Sequence, residues 1–356
     1  MAAAGAASPP AGLVETAAAG DLLGRTLQSV RLTGALFFLV DASSPWCVDV
    51  PPAGSYADII LPGASHVMSY HVIVEGHGWA SVPGIAPVPF GPGDVILFPQ
   101  GDAYVMESAP GTPPEFDREG MLGFFRALAA GALPFVVTEG GGEAPPARVI
   151  CGFLGCAARV FNPILSSLPR LLRLERAGAD LADGSAGGST GGRGDLLHRL
   201  IDLTLEEAQA GRAGGGSVHL RLAELLFIEV LRQYALSPDP KPPGWLAGLQ
   251  DAPVARALAV LHDRPADAWT VGRLARAAGL SRSALASRFA ERVGCPPMQY
   301  LAQWRMQMAA TALADGGPSM AEIAHAVGYG SEAGFSRGFK RIVGVTPELW
   351  RQGAGR

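Results

Sequence analysis

The feature that most constrains this chain is a duplication near its end: TVGRLARAAGLSRSALASRFAERVGCPP, Thr270 to Pro297, is matched by SMAEIAHAVGYGSEAGFSRGFKRIVGVTP, Ser319 to Pro347. The copies are offset by 49 residues and then by 50, and a period of that size marks a repeated structural unit. Each copy opens on a hydroxyl N-cap, Thr270 or Ser319, followed by apolar positions at helical spacing: Val271/Met320, Leu274/Ile323, Ala275/Ala324 and Ala278/Val327. Gly279 and Gly328 then stand where a tight turn needs positive φ, with Leu280 and Tyr329 as plugs behind them. A second helix is expected from Ser281 and from near Ser331. In it, Leu285/Phe335 and Phe289/Phe339 lie four apart on one inward face, and Gly294/Gly344 with Pro297/Pro347 close the unit. The pattern predicts two helix-turn-helix units in tandem.

The outward face of each second helix decides what such a pair could do. In the first copy it carries Arg282, Ser283, Ala286 and Ser287; in the second it carries Glu332, Ala333, Ser336 and Arg337. An α-helix fits the DNA major groove, where Arg can donate two hydrogen bonds to guanine and Ser or Glu can reach other base edges. Lys340 and Arg341, one turn on, suit phosphates, as do the helix N-termini. A helix from Met298 to Leu313 is expected between the copies, long enough to set the recognition helices one groove period, roughly 34 Å, apart. Charge agrees. From Asp251 onward there are 13 Arg/Lys against 8 Asp/Glu, a net of +5, so a chain with a formal net charge of -4 carries -9 on its first 250 residues.

These residues resemble the AraC/XylS-type transcription regulators, whose DNA-binding domain has two helix-turn-helix units joined by a long helix. The likeness covers about Pro253 to Trp350 and is most specific in AEIAHAVGYGSEAGFSRGFKRIVGVTP. It implies double-stranded promoter DNA as a partner, RNA polymerase as a further one, a homodimer, and DNA contacts from Arg282, Ser283, Ser287, Arg288, Glu332, Ser336, Arg337 and Lys340. One departure stands out: many members carry Arg then Leu before the first Phe, where this chain has Ser287 then Arg288. Arg288 therefore either reaches DNA or lays its stem over the core with its head in water.

Upstream, from Val30 to about Val160, short apolar runs such as ALFFLV, ADIIL, HVIVEG, DVILF and FVVT are broken every 8 to 15 residues by Pro/Gly clusters, which reads as a β-barrel or sandwich. Members of the family often carry a cupin-like barrel in front. The metal-binding cupin signature can be laid on Gly63, Ser69-Tyr70-His71 and Glu75, and then on Gly93, Pro99-Gln100-Gly101 and Tyr104. Ser69 and Tyr104 replace two histidines of the four ligands. His71 and Glu75 alone would hold a metal weakly unless His66 or His77 moved in, so no metal and no cofactor is expected. His71, Glu75 and Tyr104 are then structural remnants or line a pocket for a small-molecule effector.

The implied fold class is α+β multidomain: a cupin-like β-barrel, a helical dimerisation or linker region, and an all-α tandem helix-turn-helix domain. Residues 1–24 read as a disordered Ala-rich tail, 25–180 as the barrel and 251–350 as the DNA-binding domain. Between them, 181–236 read as a Gly-rich loop with amphipathic helices near Asp195–Ala210 and Val218–Tyr234, and 237–250, with SPDPKPPG, as a Pro-rich linker. The wide apolar stripe of the second amphipathic helix, from Leu220 to Leu231, suits a dimer contact or ordinary core. Four cysteines without a CxxC pair, no signal-peptide pattern and no apolar run near 20 residues fit a cytoplasmic, non-membrane protein. Cys151 and Cys156 read as buried thiols or as sensors. The function expected is sequence-specific transcription regulation rather than catalysis; the alternative is a metal-dependent cupin enzyme fused to a DNA-binding domain.

Overall fold

The computed structural model describes residues 22–24, 26, 32–64, 66–142, 147–156, 161–175, 193–210, 215–237, 241–316 and 318–354. The Ala-rich stretch up to residue 21, the Gly/Ser stretch at 183–192 and residues 238–240 of the Pro-rich linker lie outside these. The described residues fall into two compact units, one built on β-sheets and one all-helical.

Among the described residues the sheet unit holds ten strands: β1 (Leu32–Ala42), β2 (Cys47–Val50), β3 (His66–Glu75), β4 (Gly78–Ser81), β5 (Val88–Phe90), β6 (Val95–Phe98), β7 (Tyr104–Glu107), β8 (Val136–Glu139), β9 (Ala147–Cys156) and β10 (Leu172–Leu174). Six form one sheet in the order β10-β6-β3-β9-β1-β8, and four form a second in the order β2-β7-β4-β5. All neighbours are antiparallel except β1 and β8. Their inner faces share a core that includes Phe38, Val67, Ile73, Phe98, Met106 and Phe153. This is the cupin-like, β-rich architecture expected from the run spacing, arranged as two facing sheets. Helices α1 (Ala57–Ile60) and α2 (Arg118–Ala129) cover the core, Asp117 capping α2 by accepting from Gly120 N.

Strand β3 is buried on both faces. Val67, Ser69, His71 and Ile73 point inward, whereas Met68, Tyr70 and Val72 point to the outer face, and all seven are buried. The outer face is covered by α4 (Gly215–Leu236), which follows α3 (Arg193–Ala210): Ala223, Leu226, Phe227 and Val230 meet Tyr70, Val72, Leu97 and Leu154. The two helices expected from sequence therefore exist, and much of the apolar stripe is spent on the chain's own sheet. Gly152 makes room here, since a Cβ on it would lie 2.2 Å from the ring of Tyr70, its register partner on β3.

The helical unit contains α5 (Trp245–Leu249), α6 (Ala252–Asp263), α7 (Val271–Ala278), α8 (Arg282–Val293), α9 (Pro297–Ala314), α10 (Met320–Ala326) and α11 (Glu332–Val343). Three boundaries differ from the sequence expectation. Residues 245–249, placed in the linker, form a helix whose Trp245, Leu246 and Ala247 are buried, because WLAGL is apolar on every side. Residues 161–167, placed in the barrel, pack with the helices instead: Phe161 N donates to Gln307 Oε1 at 2.9 Å, and Trp245 N donates to Ser167 Oγ at 2.7 Å. Leu22, placed in the tail, is fully buried in a short helical turn.

Candidate nucleic-acid interface and barrel cavity

The two helix-turn-helix units are built from the same local devices. Thr270 caps α7 by accepting from Arg273 N, and Ser319 caps α10 in a reciprocal box with Glu322. The Ser319 hydrogen bonds hold the Glu322 carboxyl below its ordinary range. Gly279 and Gly328 end those helices at φ 73° and 82°. At Gly328 a side chain is excluded twice, since a Cβ would also lie 2.5 Å from the Ala266 carbonyl oxygen. Ser281 and Ser331 then cap α8 and α11 by accepting from Ala284 N and Gly334 N. Leu285, Phe289, Phe335 and Phe339 are fully buried, each worth roughly 1.5–3 kcal/mol of apolar burial. Tyr329 sits edge-on to Phe335 with centroids 5.8 Å apart, and a Cβ on Gly338 would come within 2.9 Å of the Tyr329 hydroxyl, so the small residue lets the plug close over α11.

That packing leaves one polar face of each second helix in water. On α8, Arg282, Ser283, Ser287 and Arg288 are exposed; on α11, Glu332, Arg337 and Lys340 are exposed and Ser336 is half-buried. α9 joins the units and spans 18 residues, about 27 Å at 1.5 Å per residue. Arg288 has a specific partner. Its Nε donates to Asp251 Oδ2 at 2.6 Å, and Arg292 Nε lies 3.5 Å from the same oxygen. Asp251 is buried and also caps α6 by accepting from Val254 N at 3.3 Å. Arg288 thus ties α8 to the start of α6, an arrangement the residue's own sequence neighbourhood does not reveal because the partner lies 37 positions away.

In the sheet unit the motif residues part company. His71 and Tyr104 come together: His71 Nε2 lies 3.0 Å from Tyr104 Oη, and His71 Nδ1 lies 3.2 Å from Cys151 Sγ. Ser69 faces Tyr56, oxygen to oxygen at 3.2 Å. Glu75 does not join them; it is exposed, beyond a register shift between Ile73 and Glu75, opposite Arg148. His66 Nε2 is held 2.7 Å from the Pro99 carbonyl oxygen, and His77 is exposed. Among the described residues no group of three or more His, Cys, Asp or Glu is placed to hold a metal ion. One imidazole beside two neutral hydroxyls does not fit a cupin metal.

Around His71 and Tyr104 lies a cavity of about 40 Å³. Its walls are mostly aliphatic, with Val40, Val48, Met106 and Val149 among them, and it is also lined by Trp46, Glu139 and Cys151. Sequence reasoning misses Trp46 and Glu139 and reads Cys151 only as a buried thiol or a sensor; the three come from different strands or loops. Burial pushes the His71 imidazole down to about 3, so it is neutral, and holds the Tyr104 hydroxyl and Cys151 thiol well above their ordinary values. Burial, with the Glu115 charge nearby, pushes the Glu139 carboxyl up to about 7. The indole N–H of Trp46 is buried without an acceptor among the described residues.

Tandem capped helix-turn-helix units behind a double-sheet domain define a class of DNA-binding regulators, and comparison with known proteins agrees. A family model described as "Cupin" matches residues 21–235, more than half of the chain, and one described as "Helix-turn-helix domain" matches residues 274–353. A putative AraC-like transcription regulator of Streptomyces lividans is 32% identical over 294 residues, 81% of this chain and 88% of that one. The HTH-type transcriptional regulator AlkR of Acinetobacter baylyi is 26% identical over 333 residues, 93% of this chain and 99% of that one. The crystal structure of the DNA-binding domain of AdpA, a global transcriptional factor, in complex with a target DNA is 27% identical, covering 29% of this chain and 93% of that one with a TM-score of 0.28. The chain belongs to the AraC-like transcription regulators with an N-terminal cupin domain. It is a DNA-binding transcription regulator whose partner is double-stranded DNA. No helix among the described residues is long and apolar enough to cross a membrane.

Proposed function

We propose that α8 and α11 each enter a major groove of promoter DNA, and that the sheet unit governs this binding through a small molecule and through self-association. The observation that carries the reading is the repetition itself: two second helices, each capped by Ser, each buried through an i, i+4 pair ending in Phe, each presenting an Arg-bearing polar face. On this reading Arg282, Ser283 and Ser287 reach bases from α8; Glu332, Ser336 and Arg337 reach them from α11; Lys340 meets phosphate. Arg288 acts chiefly as a tether for α8, as its ion pair with buried Asp251 supports. His71 and Tyr104 line the effector cavity, and Glu75 leaves that set because it is exposed elsewhere on β3.

Self-association is supported by apolar side chains that α3 and α4 leave exposed, Leu196, Leu203, Val218 and Leu225. We read the protein as cytoplasmic, with RNA polymerase as a further partner, and as a regulator without enzymatic activity, in keeping with the named regulators it is similar to. The test is a pair of substitutions in the full chain, titrated against a selected site and random DNA. Arg337→Ala is expected to lose about 1–3 kcal/mol of discrimination at particular base pairs. Lys340→Ala is expected to weaken binding to all sequences and to lower the salt slope by about 1. Equal losses on both DNAs for both variants contradict the assignment.

A further inference from the structure

The helical unit is not built from one continuous stretch of chain. Residues 161–167 fall between β9 and β10 in sequence, yet they belong to the helical unit. The chain then leaves that unit within one residue, for the Leu168 carbonyl accepts from Gln100 Nε2 at 3.0 Å inside the sheet unit. Asn162 shapes the segment, its Oδ1 accepting from Ile164 N and Leu165 N at 3.0 and 3.1 Å, and Ile164, Leu165 and Ser167 are buried. Both ends are fastened, and each fastening leads to the first recognition helix.

At one end, Phe161 N donates to Gln307 Oε1 at 2.9 Å, which gives a buried amide on α9 its partner. The Phe161 ring stands edge-on to Tyr300 of α9 with centroids 5.5 Å apart, and Tyr300 stands edge-on in turn to Phe289, the inward Phe of α8, at 5.8 Å. At the other end, Ser167 Oγ accepts from Trp245 N, at the start of α5, at 2.7 Å. The residue before Trp245, Gly244, donates its N–H to the Arg292 carbonyl at 2.8 Å. That carbonyl is among the last four of α8, which lack partners within the helix, so the bond caps α8 from outside. The approach needs a glycine: a Cβ on Gly244 would lie 2.7 Å from Ser167 Oγ and 3.0 Å from Ser167 Cα.

We propose that residues 161–167 are a brace for α8, Phe161 holding its middle through Tyr300 and Ser167 holding its end through Trp245 and Gly244. Base reading by α8 then depends on a segment carried between two strands of the sheet unit, whereas base reading by α11 does not. Phe161 and Ser167 are positioning residues, since they act on DNA only through α8. The inference rests on α8 and α11 being the groove-reading helices. It gives the sheet unit a covalent route to one recognition helix and not the other, because the chain runs from β9 through the brace to β10.

The test uses the full chain and a site selected from genomic fragments, with single base-pair changes scored along it. Base pairs whose discrimination falls in Ser287→Ala define the α8 half, and those affected by Arg337→Ala define the α11 half. Phe161→Ala and Ser167→Ala are each expected to lower discrimination in the α8 half about fivefold to tenfold and to leave the α11 half within about twofold of wild type. Phe161→Leu, which keeps apolar bulk against Tyr300, is expected to restore most of the loss. Equal losses in both halves make the segment ordinary core, and unchanged discrimination removes the brace; either overturns the proposal.

A second readout needs no DNA. In both Ala variants the α8 amides are expected to exchange about tenfold faster, with α11 unchanged. Protection of α8 that stays at the wild-type level overturns the brace whatever the DNA result. Should Phe161→Ala fail to fold, Ser167→Ala, which removes a single oxygen, decides. Should neither fold, the wild type decides: the Phe161 amide is expected to exchange in step with α8 and α9, and exchange in step with β9 overturns the proposal. Selective loss of α8 protection without any base-specific effect of Ser287→Ala or Arg337→Ala sinks the groove reading and leaves the brace standing.

Discussion

The link between Arg288 and Asp251 allows the first recognition helix to be tested without knowing the operator. Asp251 does two things in the structure: it caps α6 and it holds Arg288, with Arg292 at the edge of the same carboxylate. Replacing Asp251 by Ala removes an N-cap, about 1 kcal/mol. It also removes the ion pair, which is held to about 0.5–1 kcal/mol because the Arg288 side chain is 48% exposed and screened by water. The expected loss is therefore about 2 kcal/mol. Replacing Arg288 by Ala leaves Asp251 with its capping bond and the more distant Arg292, a loss of about 1 kcal/mol. If Arg288 is a tether, the two losses overlap, and a double-mutant cycle should give a coupling of about 0.5–1 kcal/mol. The assay is native-state hydrogen exchange of the α6 and α8 amides in the full chain, which reads opening free energies element by element. Arg288→Ala should then weaken every DNA sequence alike. Additive losses, together with a loss of preference at one base pair of the kind expected for Arg337→Ala, would refute the tether and make Arg288 a base reader.

Gly328→Ala forces a Cβ against the Ala266 carbonyl at φ 82° and should cost about 2 kcal/mol or more, whereas Gly316→Ala, at φ 69° with open space around it, should cost only about 1; thermal melts of both variants make the comparison. The pH profile of the sheet unit has opposing arms. His71 titrates near 3 when folded and 6.5 when free, so the unfolded chain takes up the proton first and stability is lost as pH falls through that window, by at most about 4–5 kcal/mol. Glu139 titrates near 7 when folded and 4.5 when free, so stability is lost as pH rises between those values, by at most about 3 kcal/mol, and Glu139→Gln should flatten that arm in urea titrations across pH. Gly152→Ala should destabilise the sheet unit and disturb α4, because Tyr70 must leave its place over β9; loss of α4 amide protection with the helical unit unaffected is the expected signature.

Much of the helical unit could be read from the chain because its signals are local. Thr270, Gly279, Ser281 and Phe289 fix a cap, a left-handed turn, a second cap and a core contact within 20 residues, and the second copy repeats them. The pairing of Arg288 with Asp251 is non-local and stayed ambiguous for that reason. In the sheet unit the apolar runs predict strands, yet which motif residues converge depends on register and bulges. A shift between Ile73 and Glu75 is enough to carry Glu75 away from His71, while Trp46, Glu139 and Cys151 arrive from 25, 68 and 80 positions away. The apolar stripe of α4 was visible, but not that Tyr70, Val72 and Leu154 were its partners. Helix α5 was hidden behind PKPPG, where proline and glycine mark a break but not where it ends.

The central claim is that two like helices read one duplex together, and footprinting of the full chain on sites selected from genomic fragments tests it most directly. The account predicts selection of a site with two protected major-groove segments on one face, about 10 base pairs apart, each losing protection separately when α8 or α11 is altered at Ser287 or Arg337. Binding that never exceeds that for random competitor DNA, or protection of a single groove insensitive to one of the two helices, would contradict it.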